Sequence, residues 1–462
     1  MYAAADFLAI VPAHWDEHRF AEPFETGERM THRALELLAI GGGPANLALA
    51  IAIEELAPDD LSERSLVIER NETVAWQRGM LLPEAQSQVS FLKDLVTLRN
   101  PRSKFSFVNY LHSIGRLNEF INMGNFWPYR VEMSDYHQWV ANSLEKVRLE
   151  CARECQEIEP RRDSDGTLTG WVTHLADGST IGSRYLVVGA GRDPYIPPVF
   201  AGLPDDRIIH STQYLPRIAG LPGDVPYRVV VIGGAQSAAE MFDAVGNDLP
   251  GCHRTLVMRS IGLKTYENSK FTNELYFPSA VDDFFDAPPD AREQILREMH
   301  ISNYSGLAAS TLDDLYKQVY LDRMTGKGKL RIETMTDIAS AREEGGEVVL
   351  ELADRRTGTV EELRCDLVLL GTGFVREMPT MVRDLAASLG LEKIEVTRDY
   401  RLKIPGQADA ACYLQGVNEA THGIGDSLLS MLAARGSDIA HDILADRAGR
   451  AVTLTSTSVT AN

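Results

Sequence analysis

Short apolar runs, each followed by a glycine turn and a helical stretch, recur along the chain and are typical of an α/β fold. In the run ALELLAIGGGPANLALAIAIEEL, an apolar strand leads into a turn at Gly41 to Gly43 and a helix that begins near Pro44. Gly41 permits the tight turn, and Gly43 lets the backbone approach a pyrophosphate. The helix N-terminus offers unpaired N–H groups to that anion.

The run SLVIER predicts a second strand that ends in Glu69, about 26 residues after Gly43. A carboxylate there can accept hydrogen bonds from a ribose. A glycine fingerprint alone could be only a tight turn. Strand, turn, helix and distal acid in this order predict a dinucleotide site.

The run YRVVVIGGAQSAAEMFDAV predicts a second such unit, with a strand from 227 to 232, a turn at Gly233 and Gly234, and a helix. Ala235 stands where the second fingerprint glycine would be, which narrows the approach to a pyrophosphate. The next predicted strand, RTLVMRS, ends in Arg259 rather than an acid. A guanidinium favours a 2′-phosphate, so this site is predicted to take NADPH, the alternative being a solvated strand-end cation.

Two such units, about 190 residues apart, suit a flavin enzyme that a nicotinamide reduces. One unit is predicted to hold FAD and the other to deliver hydride from NADPH. The runs YLVVGAGRDP and CDLVLLGTGF each predict a buried strand that ends in a glycine-bearing loop. Such loops are typical of the crossovers that join the two domains, although either could be an ordinary strand end.

The composition limits the kinds of molecule that the protein can bind. With 462 residues, a net charge of -20 and a pI near 5.0, the chain is expected to form two or three domains and to repel nucleic acid and anionic membranes. No stretch approaches 18 uninterrupted apolar residues, and the 5 cysteines form neither a CxxC pair nor a disulfide framework. We expect a cytoplasmic protein that binds small molecules and needs no metal.

Several longer runs resemble the flavin-dependent N-hydroxylating monooxygenases, in particular the L-ornithine Nδ-hydroxylases of hydroxamate siderophore biosynthesis. They are SQVSFLKDLVTLRNPRSKFSFVNYL, INMGNFWPYRVEMSDYHQWV, FTNELYFPSAVDDFF, ISNYS and THGIGDSLLS, and the resemblance covers nearly all of residues 35–440. The lysine-acting branch is less similar in the FLKDLVTLRNP region, which favours ornithine. The chain departs from the family pattern at Ala235 and at Gly425, where HGxSD usually has serine.

The resemblance implies site residues. Gln88 and Arg130 would lie beside the isoalloxazine and nicotinamide, and Asn303 would lie between the nicotinamide ribose and the substrate. Lys93 and Asn273 would bind the amino-acid head group. Ser430 would face the substrate or the flavin. The complete cofactor set that the fingerprints and the resemblance predict is Gly41, Gly43, Pro44, Asn46, Glu69, Gln88, Arg130, Gly233, Gln236, Ser237, Arg259, Asn303, Thr372, Gly373, Asp426 and Leu428.

Each of these side chains has a plainer interpretation. Lys93 could form a surface ion pair with Asp94, worth under about 1 kcal/mol. Asn273 and Asn303 could be turn or capping residues. His422 is expected to be structural, and Trp127 could cover the flavin or simply pack.

In the mechanism that the resemblance implies, NADPH reduces FAD, and dioxygen gives a C(4a)-hydroperoxyflavin whose distal oxygen the neutral side-chain amine attacks. The alternatives are an N-hydroxylase of lysine or a diamine, a Baeyer–Villiger or sulfide monooxygenase, and a flavin-binding protein without turnover. A disulfide reductase is disfavoured because no CxxC follows the first unit.

The expected architecture is two Rossmann-like domains with a smaller, mostly helical substrate-binding segment. Residues 35–215 and 380–445 would form the FAD domain, 216–265 and 331–379 the NADPH domain, and 266–330 the substrate segment. Residues 1–34 would be an extension without an assigned role, and 446–462 a C-terminal tail. The resemblance also implies a homo-oligomer, a tetramer in much of the family.

Overall fold

A computed structural model describes residues 35–459 except 267, 268 and 305, and the side chains of 301–303 and 451–459 also lie outside the description. The predicted N-terminal extension, residues 1–34, therefore falls outside the described residues. Asn303 is described through its helical backbone alone.

The first sheet has seven strands among the described residues and is parallel at its centre, where the strand of the first glycine unit lies. Its strands are β1 (Leu35–Ile40), β2 (Ser65–Ile68), β3 (Arg148–Glu150), β4 (Cys155–Arg162), β5 (Leu168–Leu175), β6 (Thr180–Val188) and β15 (Ala411–Leu414). They follow the order β3-β2-β1-β6-β5-β4, and β15 pairs with the second half of β6. The parallel strands bring the glycine turn after β1 to the edge where ligands bind in open α/β sheets.

The second sheet is wholly parallel and has the order β10-β9-β8-β14-β7. Its strands are β7 (Ile208–His210), β8 (Arg228–Ile232), β9 (His253–Val257), β10 (Leu330–Glu333) and β14 (Leu367–Leu370). Because β7 pairs with β14, the second sheet begins before the domain boundary predicted at residue 215. An antiparallel ribbon of β11 (Thr336–Glu344), β12 (Glu347–Asp354) and β13 (Val360–Cys365) forms a third sheet.

Helices cover the sheets and make up most of residues 266–330, the predicted substrate segment. They are α1 (Pro44–Leu56), α2 (Asp59–Ser62), α3 (Phe107–Ser113), α4 (Leu117–Met123), α5 (Arg130–Ser143), α6 (Tyr214–Ile218), α7 (Gln236–Asp248), α8 (Lys270–Asn273), α9 (Ala280–Asp286), α10 (Pro289–Tyr304), α11 (Ala309–Thr325), α12 (Thr380–Ser388), α13 (Glu419–His422) and α14 (Leu429–Val459). The segment from α8 to α11 is helical, as the sequence predicts. In the part of the chain that the structure describes, no helix is long and apolar enough to cross a bilayer.

α1 is apolar along most of its length because it is buried between the first sheet and α14. Gly436 permits this contact, since a Cβ there would lie 2.9 Å from the backbone nitrogen of Leu49. The C-terminal helix is thereby fixed against the helix whose N-terminus follows the first glycine turn.

The two glycine-bearing loops that the sequence predicts as crossovers lie side by side. The loop after β6 and the loop after β14 form an antiparallel bridge between Pro194 and Phe374. Beside it, the Tyr195 N–H donates to the Gly373 carbonyl at 2.9 Å. The chain therefore passes between the two sheets through a paired, hydrogen-bonded connection.

Candidate active site

The first glycine turn is shaped for a phosphate group. Gly41 has φ +99°, and a Cβ there would lie 2.8 Å from the Gly189 carbonyl oxygen. The Gly42 N–H donates to the Glu69 carboxylate at 2.8 Å, which joins the turn to the acid that follows β2. A Cβ on Gly43 would meet nothing within 4 Å, and no side chain caps the N-terminus of α1. The open space and unpaired N–H groups fit the pyrophosphate of a dinucleotide.

A buried chain of side chains joins this turn to the C-terminal part of the protein. Asn46 donates from Nδ2 to the Gly41 carbonyl at 2.8 Å and accepts from Gln415 at 2.7 Å. Gln415 in turn accepts from Arg435 at 3.0 Å, and Arg435 pairs with Asp426 at 2.9 Å. All of these side chains are nearly inaccessible to solvent. The chain therefore supports the turn after β1 and the loop before α14 together.

These contacts change the interpretation of two predicted cofactor residues. The amide of Asn46 bonds to protein groups at both its nitrogen and its oxygen, and the Asp426 carboxylate accepts from Arg435 and from the Asn418 N–H. Their side chains are thus bonded to protein groups and hold the turn after β1 and the loop before α14. Arg435 was not predicted from the sequence, where its only signal is a cation in the otherwise apolar run LSMLAARG at the start of α14.

Two buried polar atoms near the start of α14 have no hydrogen-bond partner in the described structure, Ser430 Oγ and Asn418 Oδ1. Buried polar atoms are normally bonded, so a polar ligand atom at this place is expected. The adjacent Leu428, another predicted cofactor residue, is half-buried, and its N–H donates to the Gly425 carbonyl at 2.9 Å. These orphaned atoms fit a bound flavin or substrate.

The second glycine turn also suits a nucleotide. Gly233 has φ +143°, and a Cβ there would lie 2.4 Å from the Gly371 carbonyl oxygen. Ala235 has φ -120° and ψ -175°, which is ordinary extended backbone. The replacement of glycine at this position therefore causes no backbone strain. Ser237 lies half-buried in the first turn of α7, which no side chain caps.

Arg259 lies two residues beyond the end of β9, so it belongs to the following loop and not to the strand end that the sequence predicts. Its side chain is exposed. The pKa of nearby Asp337 is lowered, mainly by the hydrogen bond from Arg355 and less by the charge of Arg259. Arg259 thus remains accessible to an anionic ligand at the C-terminal edge of the second sheet.

Arg130 and Gln236 are both occupied by protein groups. The Arg130 guanidinium donates to the Glu240 carboxylate at 2.8 and 2.9 Å and to the Met80 carbonyl at 2.7 Å. The Gln236 side chain bonds to Glu240 and to the start of α11. The segment that carries Gln88 pairs with the one that carries Arg130, and Gln88 itself is exposed.

Thr372 and Gly373 lie in the crossover loop after β14. The Thr372 hydroxyl donates to the Tyr195 carbonyl, and Gly373 has φ +74° with open space where a Cβ would be. His210 Nε2 contacts the Gly373 carbonyl at 2.9 Å. The loop after β14 is thus held by hydrogen bonds to the loop after β6, and the space beside Gly373 is open.

Lys93 does not pair with Asp94, so the plainer interpretation of these residues is wrong. Asp94 is buried, and its carboxylate accepts from Val96, Thr97 and Phe107. The Lys93 ammonium instead lies 4.2 Å from the centre of the Phe277 ring, in the substrate segment that also carries Asn273. Burial lowers the pKa of Lys93. Within the described residues, no carboxylate lies within ion-pair distance of this ammonium.

His422 is structural, as the sequence analysis expects. Its ring stacks on Tyr400 at 4.1 Å, Nε2 contacts the Arg398 carbonyl at 3.0 Å, and burial lowers its pKa to about 4.

Gly425 lies against Met431, because a Cβ there would come within 3.0 Å of Met431 Cγ. A serine at 425, as in the family pattern, would require that methionine to move. Trp127 is half exposed, at 50%.

The chain matches the family model of L-lysine 6-monooxygenase/L-ornithine 5-monooxygenase over residues 33–376. A curated L-ornithine N(5)-oxygenase of Arthrobotrys oligospora is 36% identical over 444 residues, which covers 91% of this chain and 90% of the relative. The solved ornithine hydroxylase of Pseudomonas aeruginosa has a TM-score of 0.83 and 34% identity, covering 89% of this chain and 99% of that one. An ornithine N-hydroxylase of Kutzneria sp. 744, in complex with reduced FAD, NADP+ and L-ornithine, has a TM-score of 0.82 and 31% identity, covering 90% and 100%.

Two glycine turns, each after a strand in the parallel part of a separate sheet, together with a helical segment, define a two-dinucleotide α/β oxidoreductase. The chain belongs to the L-lysine 6-monooxygenase/L-ornithine 5-monooxygenase family. The predicted fold class and the predicted class of enzyme, a flavin-dependent N-hydroxylating monooxygenase, are confirmed.

Proposed function

We propose that this protein binds FAD and NADPH and hydroxylates the side-chain amine of L-ornithine. The observation that carries the substrate class is Lys93, a half-buried ammonium without a carboxylate partner among the described residues. A buried cation favours an anionic partner, and the α-carboxylate of an amino acid supplies one. A diamine such as putrescine has no carboxylate to offer.

The cofactor residues divide between the two sheets. The turn from Gly41 to Gly43 would hold FAD, with Glu69 binding its ribose, and the second turn would hold NADPH, with Arg259 binding its 2′-phosphate. The Kutzneria relative, bound to reduced FAD and NADP+, supports this pair of cofactors. When bound, the reduced flavin supplies the activation of dioxygen and the transfer of one oxygen atom to the amine.

The residues of this chain position the substrate. Lys93 holds the carboxylate, and Asn273 and Asn303 hold the remainder of the head group. The Ser430 hydroxyl, which is buried and has no hydrogen-bond partner among the described residues, would face the flavin or the substrate. A free amine titrates near ~10, so the site must favour its neutral form, and exclusion of water acts in that direction.

Ornithine is preferred to lysine as the proposed substrate because relatives at 34–37% identity are ornithine enzymes. A lysine-acting and a cadaverine-acting structure cover as much of the chain but are only 29% and 24% identical to it. The product, Nδ-hydroxyornithine, would enter hydroxamate siderophore or related natural-product biosynthesis. We also propose that the protein is cytoplasmic. We further propose that it forms a tetramer, which sedimentation of the purified protein tests.

The experiment is to purify the protein, saturate it with FAD, and follow oxygen consumption and products with NADPH and L-ornithine. We expect oxygen consumption that requires NADPH, together with a hydroxylated ornithine whose mass is greater by one oxygen atom. Flavin binding without NADPH-driven oxygen consumption would instead indicate a flavin-binding protein without turnover.

A further inference from the structure

A buried carboxylate lies where three parts of the protein meet. Glu240 belongs to α7, one turn after the N-terminus that the proposed NADPH site uses, and Arg130 belongs to α5 beside the first sheet. The two residues are 8% and 5% exposed. The two hydrogen bonds from Arg130 to Glu240, at 2.8 and 2.9 Å, fix the start of α7 to α5.

The same carboxylate also reaches the substrate segment through one residue. Gln236 lies four residues before Glu240 and so shares its face of the helix. Gln236 Nε2 donates to Glu240 Oε1 at 2.9 Å and to Thr311 Oγ1 at 3.3 Å, while Gln236 Oε1 accepts from the Ala308 N–H at 3.0 Å. Glu240 Oε1 therefore accepts from both Arg130 and Gln236.

The backbone that Gln236 holds is tightly fixed on its other side. Leu307 forms a parallel bridge with Thr265, and a Cβ on Gly306 would lie 2.2 Å from Tyr266 Cα. This stretch directly follows the ISNYS run, so its position determines where the end of α10, and hence the backbone of Asn303, lies.

Replacing a buried ion pair with apolar side chains is often neutral for stability, so such a pair is weak evidence of a purely stabilising role. The best-attested use of a buried ion pair is to fix how two elements are aligned. Glu240 can do so for two neighbours of α7, because it bonds to Arg130 on α5 and to Gln236, which bonds to the start of α11.

We infer that Glu240 is a positioning residue that couples nucleotide binding at α7 to the order of residues 306–312 in the substrate segment. The inference rests on the proposed function, because it requires NADP+ to bind at the N-terminus of α7. Nucleotide bound there restrains the first turn of α7, and Glu240 and Gln236 transmit that restraint to the Ala308 N–H. Arg130 holds the carboxylate in place against the flavin domain.

The test is amide hydrogen exchange of the peptide 306–312 in the FAD-bound protein, with and without saturating NADP+, beside calorimetric titration of NADP+. Three variants are compared with the wild-type protein. Glu240→Gln removes the charge, and Gln236→Met removes the amide but leaves the Arg130–Glu240 pair. Asp243→Asn is the matched control, since it changes a carboxylate on the same helix that accepts from Gln318 on α11 at 2.6 Å.

We expect NADP+ to slow exchange in this peptide on the order of tenfold in the wild-type protein and in Asp243→Asn, a coupling within the usual range. Both Glu240→Gln and Gln236→Met should lose that effect, and Gln236→Met decides the matter if Glu240→Gln fails to fold. Retention of the effect in both variants, its loss in Asp243→Asn, or its absence from the wild-type protein that binds NADP+ would overturn the inference. Failure of the wild-type protein to bind NADP+ at all would contradict the proposed function itself.

Discussion

The ammonium of Lys93 lies 4.2 Å from the centre of the Phe277 ring, so the chain before α3 contacts the chain between α8 and α9, the predicted substrate segment. Lys93→Ala should raise the apparent KM for ornithine by roughly tenfold to a hundredfold, the range of a charge-assisted hydrogen bond. Reduction of the flavin by NADPH should stay nearly unchanged. Steady-state kinetics and anaerobic flavin reduction measure the two effects separately.

Lys104→Ala is the matched control, because Lys104 also lies over a phenylalanine ring, at 5.1 Å, but pairs with Glu145 at the surface. An ornithine KM that is unchanged in Lys93→Ala, or raised equally in both variants, would remove Lys93 from the substrate site.

Arg259→Ala should weaken the binding of NADPH far more than the binding of NADH. One guanidinium–phosphate contact contributes roughly 1.5–3 kcal/mol, and NADH lacks the phosphate. Flavin reduction rates over a range of each nucleotide give the two affinities, with Arg342→Ala in the three-stranded ribbon as the control. Equal loss for both nucleotides would show that Arg259 does not read the 2′-phosphate.

Arg435→Met should lower thermal stability and FAD retention together. It leaves the Asp426 carboxylate buried without its partner, which typically costs about 3–5 kcal/mol. Adding Asp426→Asn removes the uncompensated charge and should recover part of the loss. Melting temperature and FAD content per chain are the measurements, and a double variant that is no more stable than Arg435→Met would argue against the pair as the cause.

The sequence predicted both glycine units well because local patterns specify them. The turn residues, the helix beginning at Pro44 and the acid after the second strand all lie within one βαβ unit, and the structure has them in place. The helical character of the substrate segment also followed from local pattern. The pairing of β7 with the second sheet, before the boundary predicted at residue 215, was not visible in the sequence because β7 is only three residues long and its partner, β14, lies far along the chain.

Long-range polar pairs could not be read from one sequence. Arg130 and Glu240 are 110 residues apart, and Gln415 meets Asn46 across 369 residues. The possible ion pair between Lys93 and Asp94 was wrong for the same reason, since the partner of Lys93 is distant in the sequence. Asp94 caps local backbone N–H groups, while Lys93 turns to a ring in a distant segment.

Acid should destabilise the protein through its buried histidines. Burial lowers the pKa of His137 from 6.5 to about 3, and neither ring nitrogen has a hydrogen-bond partner in the described structure. In the unfolded chain His137 is protonated below about pH 6.5, whereas in the folded protein it stays neutral down to about pH 3. The free energy of unfolding therefore decreases as the pH falls from about 6.5 towards 3. Each such group contributes a slope of about 1.4 kcal/mol per pH unit.

Denaturant unfolding between pH 7 and pH 4.5 tests this, with His137→Leu reducing the slope by about that amount. The exposed His112→Leu should leave it unchanged. Equal slopes for the wild-type protein and His137→Leu would mean that His137 is not held neutral.

The chain length of the amino acid should decide whether hydroxylation is productive. If Lys93 and Asn273 fix the head group, the longer side chain of lysine displaces its amine by roughly an ångström, an error that can cost about a hundredfold in rate. Binding discriminates a methylene by only about 1–3 kcal/mol, so lysine can still enter the site. The direct measurement is hydroxylamine formed per NADPH oxidised, with ornithine, lysine, putrescine and cadaverine under identical conditions. We predict a ratio near one for ornithine, with hydrogen peroxide as the main product for the others. Tight coupling with lysine or a diamine and poor coupling with ornithine would contradict the proposed substrate.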